Sequence, residues 1–259
     1  MLTTKETSRR VINSTRHICL WSGPRNVSTA LMYSFGQRND ARIIDEPLYG
    51  HYLRVSGADH PGRDEVMSTM DTDGDRVMEK LLDRQHDRPI LFMKQMAHHL
   101  VGLDFSFLNK TINVLLIRDP VEMLPSLTIQ LPDADIADTG LVTQCDLLER
   151  LENLGQQPLI LDSRELLRNP GAVLASLCER VDIPFDQDML SWPRGARPED
   201  GVWARHWYHN VHESTGFAPY RPKTEPFPAG LEPLLKKCRP YYQRLYAFAL
   251  KAEQHDGGS

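Results

Sequence analysis

The chain has no run of eighteen apolar residues, the length at which a membrane-spanning helix becomes a candidate, so no span is expected. Its first twenty residues, MLTTKETSRRVINSTRHICL, hold no apolar core of signal-peptide length. The expectation is a chain without a leader and with a cytoplasmic location. A basic surplus is also missing: 30 Lys and Arg face 35 Asp and Glu, a net charge of −5 over 259 residues. A general nucleic-acid binder carries the opposite balance, so that class is disfavoured, although a small local anion site is not. Cysteine is scarce. Cys19, Cys145, Cys178 and Cys238 lie far apart, form no CxxC pair and sit among apolar neighbours or in helical patterns. Buried free thiols are expected, not disulfides or ligands, and no cluster with metal-ligand spacing stands out. What is present is ordinary: 41% hydrophobic and 25% charged residues argue against wholesale disorder. With no repeat, linker or low-complexity tract, residues 1–259 read as a single domain with a loose polar arm over residues 1–16.

The pattern along the chain alternates. Residues 17–21 read as a strand that ends in the breakers Ser22-Gly23-Pro24, and residues 28–35 carry helical spacing. Further strands are expected at residues 42–44, 89–94, 112–117 and 159–161. Helices are expected at residues 63–84, 121–130, 141–154, 169–181 and 232–252. The near-continuous apolar run Ile112 to Ile117 suits a buried parallel strand. Strands separated by helices imply a three-layer α/β/α fold with a central parallel sheet of about five strands. Residues 191–228 break the pattern. They are rich in Pro, Gly, His, Trp and Arg, and a long aromatic loop of this kind points to an active-site role.

Two segments carry chemistry. Trp21-Ser22-Gly23-Pro24-Arg25-Asn26-Val27-Ser28-Thr29 joins the first strand to the first helix. Such a loop aims backbone N–H groups and the positive end of a helix at one point, which suits a phosphate. Ser28 and Thr29 add hydroxyls, and Arg25 adds a fixed cation. The Walker pattern GxxxxGK[ST] is absent, as is GxGxxG. The bland alternative is a helix start capped by Ser28 with Arg25 on the surface. The second segment, Leu116-Ile117-Arg118-Asp119-Pro120, ends the fourth strand, where ligands of open α/β sheets gather. Ser126 follows Arg118 by eight residues, about two helical turns with one bent by Pro125, so Arg118 and Ser126 can grip a second phosphate.

Together these segments resemble the sulfotransferase superfamily. Pro24-Arg25-Asn26-Val27-Ser28-Thr29 looks like that family's 5′-phosphosulfate loop in its PRxxxST form, and Arg118 with Ser126 looks like its 3′-phosphate motif. Residues 159–174 are similar to the family's late strand and helix, so the resemblance spans residues 18–185 in order. Asp45-Glu46-Pro47-Leu48-Tyr49 resembles a Glu-Pro-Leu stretch of carbohydrate sulfotransferases. The chain is also similar to a sulfotransferase-like group that includes domains attached to aminotransferase-like proteins in plants. The resemblance implies a P-loop-like fold and 3′-phosphoadenosine 5′-phosphosulfate (PAPS) as sulfuryl donor. Gly23, Pro24, Arg25, Asn26, Val27, Ser28, Thr29, Arg118 and Ser126 would hold the donor, no metal would be needed, and a small-molecule or carbohydrate hydroxyl would accept. Arg25 stands where many members have Lys. It stays charged and cannot act as an acid at neutral pH, so its role would be electrostatic.

The acceptor hydroxyl needs a base. Glu46 follows the second strand and matches the carbohydrate-type position. His98 and His99 follow the third strand near the place of a catalytic His in small-molecule members, and His51 is a further candidate. Structural alternatives are an Asp45 or Glu46 pair with Arg25, and a helix cap by His98. Lys94 either faces the sulfonate or is solvated. The late loop of the superfamily, basic and Gly-containing, has no clear match, leaving Arg205, Ser214 and Gly216 as candidates and Trp203 with Trp207 as one aromatic face. Two competing classes remain: a P-loop kinase or nucleotide hydrolase, and a nucleotide-binding module without catalysis. Charge is uneven along the chain. Residues 9–43 hold six Arg and one acid, while residues 119–165 hold ten acids and two Arg.

Overall fold

In the computed structural model, which describes residues 15–84 and 86–252, the strands alternate their side chains between two dry faces. Strand β1 (Arg16–Ser22) sends Ile18 and Leu20 into one core and Cys19 and Trp21 into the other. Strand β4 (Ile112–Ile117) does the same with Val114 and Leu116 against Leu115 and Ile117. Burial on both faces is why these segments read as unbroken apolar runs. The remaining strands are β2 (Ala41–Asp45), β3 (Ile90–Met96), β5 (Leu159–Asp162) and β6 (Ala249–Leu250). All pair in parallel in the order β2-β3-β1-β4-β5-β6.

Helices close both faces and give three layers. On one side, α1 (Ser28–Gly36) contributes Leu31, Met32 and Phe35, with Phe35 stacked on Phe92 at 4.1 Å. Helices α2 (Tyr49–Ser56), α3 (Arg63–Thr69) and α4 (Gly74–Asp83) follow β2. On the opposite side, α5 (Pro120–Leu127) and α6 (Leu141–Asn153) bury Met123, Leu124, Leu147 and Leu151. After β5 come α7 (Ser163–Arg168) and α8 (Pro170–Arg180), the latter on the α1 side through Val173, Leu174 and Leu177. Two short helices, α9 (Ala204–Trp207) and α10 (His209–His212), interrupt residues 191–228, and Ser191 bridges Gly216. Helix α11 (Glu232–Tyr246) packs on the α5 and α6 side.

Several expectations change. Among the described residues the sheet has six strands where about five are expected: the helix expected to reach residue 252 stops at Tyr246, and Ala249 and Leu250 pair with Ile160 and Leu161. A buried two-residue strand beside an exposed Phe248 has too short a pattern to separate from a helical one. The helix expected at residues 63–84 is two helices, because Met70 is extended and the Asp73 carboxylate accepts from the Arg76 amide, which starts α4 afresh. Helix α2 was unread, and α5 ends at Leu127. Of the arm expected over residues 1–16, the first fourteen positions, with Arg9 and Arg10, lie outside the described residues; Arg16 opens β1. Among the described residues no helix is long and apolar enough to cross a membrane.

The topology fixes where a site can be. From β1 the chain runs to β2 and β3 on one side, then crosses to β4 on the other. That reversal opens a crevice at the carboxyl ends of β1 and β4, the usual ligand position of open parallel sheets. Residues 23–29, Glu46, 97–99, Arg118 and Ser163 all follow strand ends on this one edge.

Candidate active site

The loop between β1 and α1 leaves the sheet at that crevice. A Cβ on Gly23 would stand 2.8 Å from the Thr139 carbonyl oxygen, so only glycine fits. Arg25 holds a left-handed φ of 53°, which is costly for a residue with a Cβ. Its surroundings fix it there. Arg118 Nη1 donates to the Arg25 carbonyl at 2.6 Å, and Arg25 Nε donates to Ser126 Oγ at 2.9 Å. Asn26 braces the loop: Nδ2 donates to the Leu116 carbonyl at 3.0 Å, while Oδ1 accepts from the Val27 amide and the Ser163 hydroxyl. Val27 occupies the cap position of α1 with no side-chain cap bond, so the Ser28 cap does not form. The first-turn amides of α1 then have no acceptor within the helix.

Arg25, Arg118 and Ser126 therefore meet, although they come from two loops far apart in the chain. Burial and then the Arg118 charge push the Arg25 guanidinium below its ordinary value. Among the described residues Arg118 Nε is buried without a hydrogen-bond partner, and Glu122 Oε2 stands 3.7 Å away. Two guanidiniums held together with a spare donor form a site short of negative charge.

A second cluster lies two strand spacings from β1, about 10 Å along the same edge. Glu46 turns out of β2 with φ 42°, and its amide donates to the Lys94 carbonyl at 2.8 Å. Lys94 is 1% exposed, which corrects the solvated reading. Its ammonium donates to Asp45 Oδ1 at 2.9 Å, to Tyr208 Oη at 2.6 Å and to Glu46 Oε1. The acids thus pair with Lys94, not with Arg25. Burial pushes the Glu46 carboxyl up, Lys94 pulls it partly back, and Asp45 pushes it up again, for a net rise. Burial disfavours the Lys94 ammonium, but Asp45 and Glu46 outweigh that and hold it well above its usual range.

The histidines divide. His99 is buried, with Nε2 3.9 Å from Glu46 Oε2 and Nδ1 without a partner. Its ring stacks on Tyr49 at 5.1 Å and Tyr52 at 4.8 Å. Burial, then His98, hold it far below the ordinary imidazole value. His98 is half-buried, stands edge-on to Tyr52 and is pushed down to about 4, chiefly by burial. His51 spends both nitrogens on the fold: Nδ1 accepts from the Gly74 amide at 3.0 Å and Nε2 pairs with the Val101 carbonyl at 2.7 Å.

The late segment reaches the site by residues that local reading missed. Tyr208 Oη donates to Asp45 and accepts from Trp203 Nε1 at 3.2 Å. Asp200 accepts from Tyr33 Oη at 2.7 Å and pairs with His212 Nε2 at 2.9 Å. The one available signal was the density of aromatic and His residues around 203–212. Arg205 instead pairs with Glu65 at the surface, Ser214 accepts from Trp192, and Gly216 holds the bridge to Ser191. Trp203 belongs to a small apolar cluster with Tyr49, Leu53 and Val66, and Trp207 packs half-buried against that cluster.

Comparison with known proteins bears on this arrangement. The family described as sulfotransferase domain matches residues 16–249. Two Arabidopsis thaliana proteins, named branched-chain-amino-acid aminotransferase-like protein 2 and 1, are each 38% identical over 226 residues. The match covers 87% of this chain and 40% of theirs, so the chain spans about two-fifths of the length of these curated relatives. Among solved structures, the sulfotransferase domain of the Synechococcus PCC 7002 olefin synthase is 15% identical with TM-score 0.51, over 92% of this chain and 96% of that one. A sulfotransferase from Alicyclobacillus acidocaldarius is 13% identical with TM-score 0.51, over 90% and 95%. At such identities the likeness is one of fold.

Proposed function

The chain belongs to the sulfotransferase domain family, and from that premise we propose that it transfers a sulfuryl group from PAPS to a hydroxyl of a small-molecule or carbohydrate acceptor. The observation that carries this reading is the meeting of Arg25, Arg118 and Ser126 at the switch point, with Arg118 Nε buried and unpartnered. The donor supplies the sulfuryl group and two phosphate anchors. Arg118 and Ser126 suit the 3′-phosphate. The amides of Arg25, Asn26, Ser28 and Thr29, with the Ser28 and Thr29 hydroxyls, suit the 5′ end.

Arg25 supplies a permanent cation near the loop and stabilises charge on the departing oxygen. Glu46 takes the acceptor proton, and its burial moves it toward the range useful to a base. His98 is the alternative base, because it is neutral above about pH 4 and retains some access to solvent. The P-loop kinase reading lacks its lysine, since Val27 precedes Ser28.

Calorimetry separates the classes. Adenosine 3′,5′-bisphosphate should bind at least tenfold more tightly than ATP, with or without Mg²⁺. Tighter ATP binding that depends on Mg²⁺ would sink the reading. Bisphosphate binding without turnover on a broad hydroxyl panel would favour a module that has lost catalysis.

A further inference from the structure

The late segment reaches the candidate base through one phenol. Lys94 has three N–H donors, and in this dry cluster each finds one oxygen: Asp45, Glu46 and Tyr208. Tyr208 Oη is itself saturated. It accepts from Lys94 and from Trp203 Nε1, and it donates to Asp45, whose two oxygens stand 2.9 and 2.8 Å away. The phenol thus gives the ammonium a lone pair and gives Asp45 a proton. Asp45 shares its charge among the ammonium, the phenol and the Gly201 amide, and Lys94 is left with one hydrogen for Glu46 Oε1. The other oxygen, Oε2, lies on the side of His99.

We propose that Tyr208 is a positioning residue for the candidate base: with Asp45, its hydroxyl sets where Lys94 holds the Glu46 carboxylate. The proposal rests on the reading of Glu46 as that base.

The placement of Tyr208 is itself built. The Gly201 amide donates to Asp45 Oδ2 at 3.3 Å, and a Cβ at Gly201 would overlap the Trp203 indole at 2.2 Å. Trp203 stands edge-on to Tyr49 with ring centroids 5.0 Å apart. Asp200 ties the same stretch to Tyr33 and His212. Residues 200–212 are therefore pinned on both sides of the phenol. Burial, then Asp45, raise the Tyr208 hydroxyl well above its ordinary value, so it remains a donor at neutral pH. The titratable groups that face Glu46 come from five places besides its own loop: Asp45 of β2, Lys94 of β3, His99 of the turn after β3, Tyr49 of α2, and Tyr208 between α9 and α10.

The test follows the Glu46 carboxyl carbon by ¹³C NMR across pH in the full chain, beside steady-state turnover with PAPS on a panel of alcohols, phenols and sugars. Tyr208→Phe should move the Glu46 titration and the acidic limb of the kcat profile upward together by about one pH unit, which at a fixed pH on that limb is about a tenfold fall in kcat. KM for the donor should stay within twofold. Trp203→Phe, which removes the donor to Tyr208 together with part of the indole packed on Tyr49 and Gly201, should move the titration the same way by less. It decides the matter if Tyr208→Phe does not fold. An unmoved Glu46 titration in folded variants overturns the proposal. Glu46→Gln in the same series tests the underlying reading. Intact turnover there overturns the base itself, whereas abolished turnover with an unmoved titration overturns only the role of Tyr208.

Discussion

Arg118→Ala tests the anion cradle at its most specific point. The residue has two jobs: its Nη1 holds the Arg25 carbonyl at 2.6 Å, and its Nε is a buried donor without a partner. A hydrogen bond to a charged group contributes about 1.5–3 kcal/mol. The Arg118 side chain is 25% exposed and Glu122 already stands 3.7 Å away, so the lower half of that range applies. A loss of about 2 kcal/mol corresponds to roughly 30-fold weaker binding of adenosine 3′,5′-bisphosphate. 5′-AMP lacks the 3′-phosphate and feels the change only through the slackened Arg25 backbone, so its affinity should fall less than about threefold. Arg118→Lys keeps the charge but loses the fork, and should fall between wild type and Arg118→Ala. Titration calorimetry of both nucleotides gives the ratio directly. Equal losses for the two would refute the assignment of Arg118 to the 3′-phosphate.

Glu46→Gln should abolish transfer while leaving bisphosphate affinity within twofold; undiminished kcat would pass the base role to His98. With burial raising Glu46, the acidic limb of the kcat profile should lie above the ordinary glutamate value, activity falling as pH drops through it; a limb near pH 4 would contradict that. Lys94→Met leaves Asp45 and Glu46 buried without their cation and should destabilise the fold by about 3–5 kcal/mol in urea unfolding, and a loss below about 1 kcal/mol would deny the cluster its structural part. His98 has its folded value depressed to about 4, so it contributes stability above about pH 6.5 that is lost as pH falls toward 4. His98→Asn should flatten that acid loss, and an unchanged slope would show that His98 is not its source.

How much of this was legible depended on distance along the chain. The phosphate loop, its strand and its helix are contiguous, so Gly23 to Thr29 announced themselves. Arg118 and Ser126 sit on one strand end and the helix after it, and their spacing carried the second half. The meeting of Arg25 with both of them arises from the order β1-β4 in the sheet, which no local pattern states. From the sequence Lys94 either faces the sulfonate or is solvated, and the buried pairing stays hidden because its partners come from the end of β2 and from Tyr208, 114 residues later. The same reason hid Asp200 and Tyr33. Strand β6 was missed because two residues carry no periodicity, and its partner β5 lies far upstream. The uneven charge found a physical place: Arg25, Arg38 and Arg42 fall in the β1 to β2 stretch, and only Arg25 stands at the crevice beside Arg118.

A crystal structure of the chain with adenosine 3′,5′-bisphosphate tests the central claim most directly. The account predicts the 3′-phosphate within hydrogen-bond distance of Arg118 and Ser126, the 5′-phosphate over the amides of Arg25, Asn26, Ser28 and Thr29, and Glu46 on the wall that faces the open end of the 5′-phosphate. A nucleotide bound with its 3′-phosphate turned away from Arg118, or seated elsewhere than between β1 and β4, would contradict it.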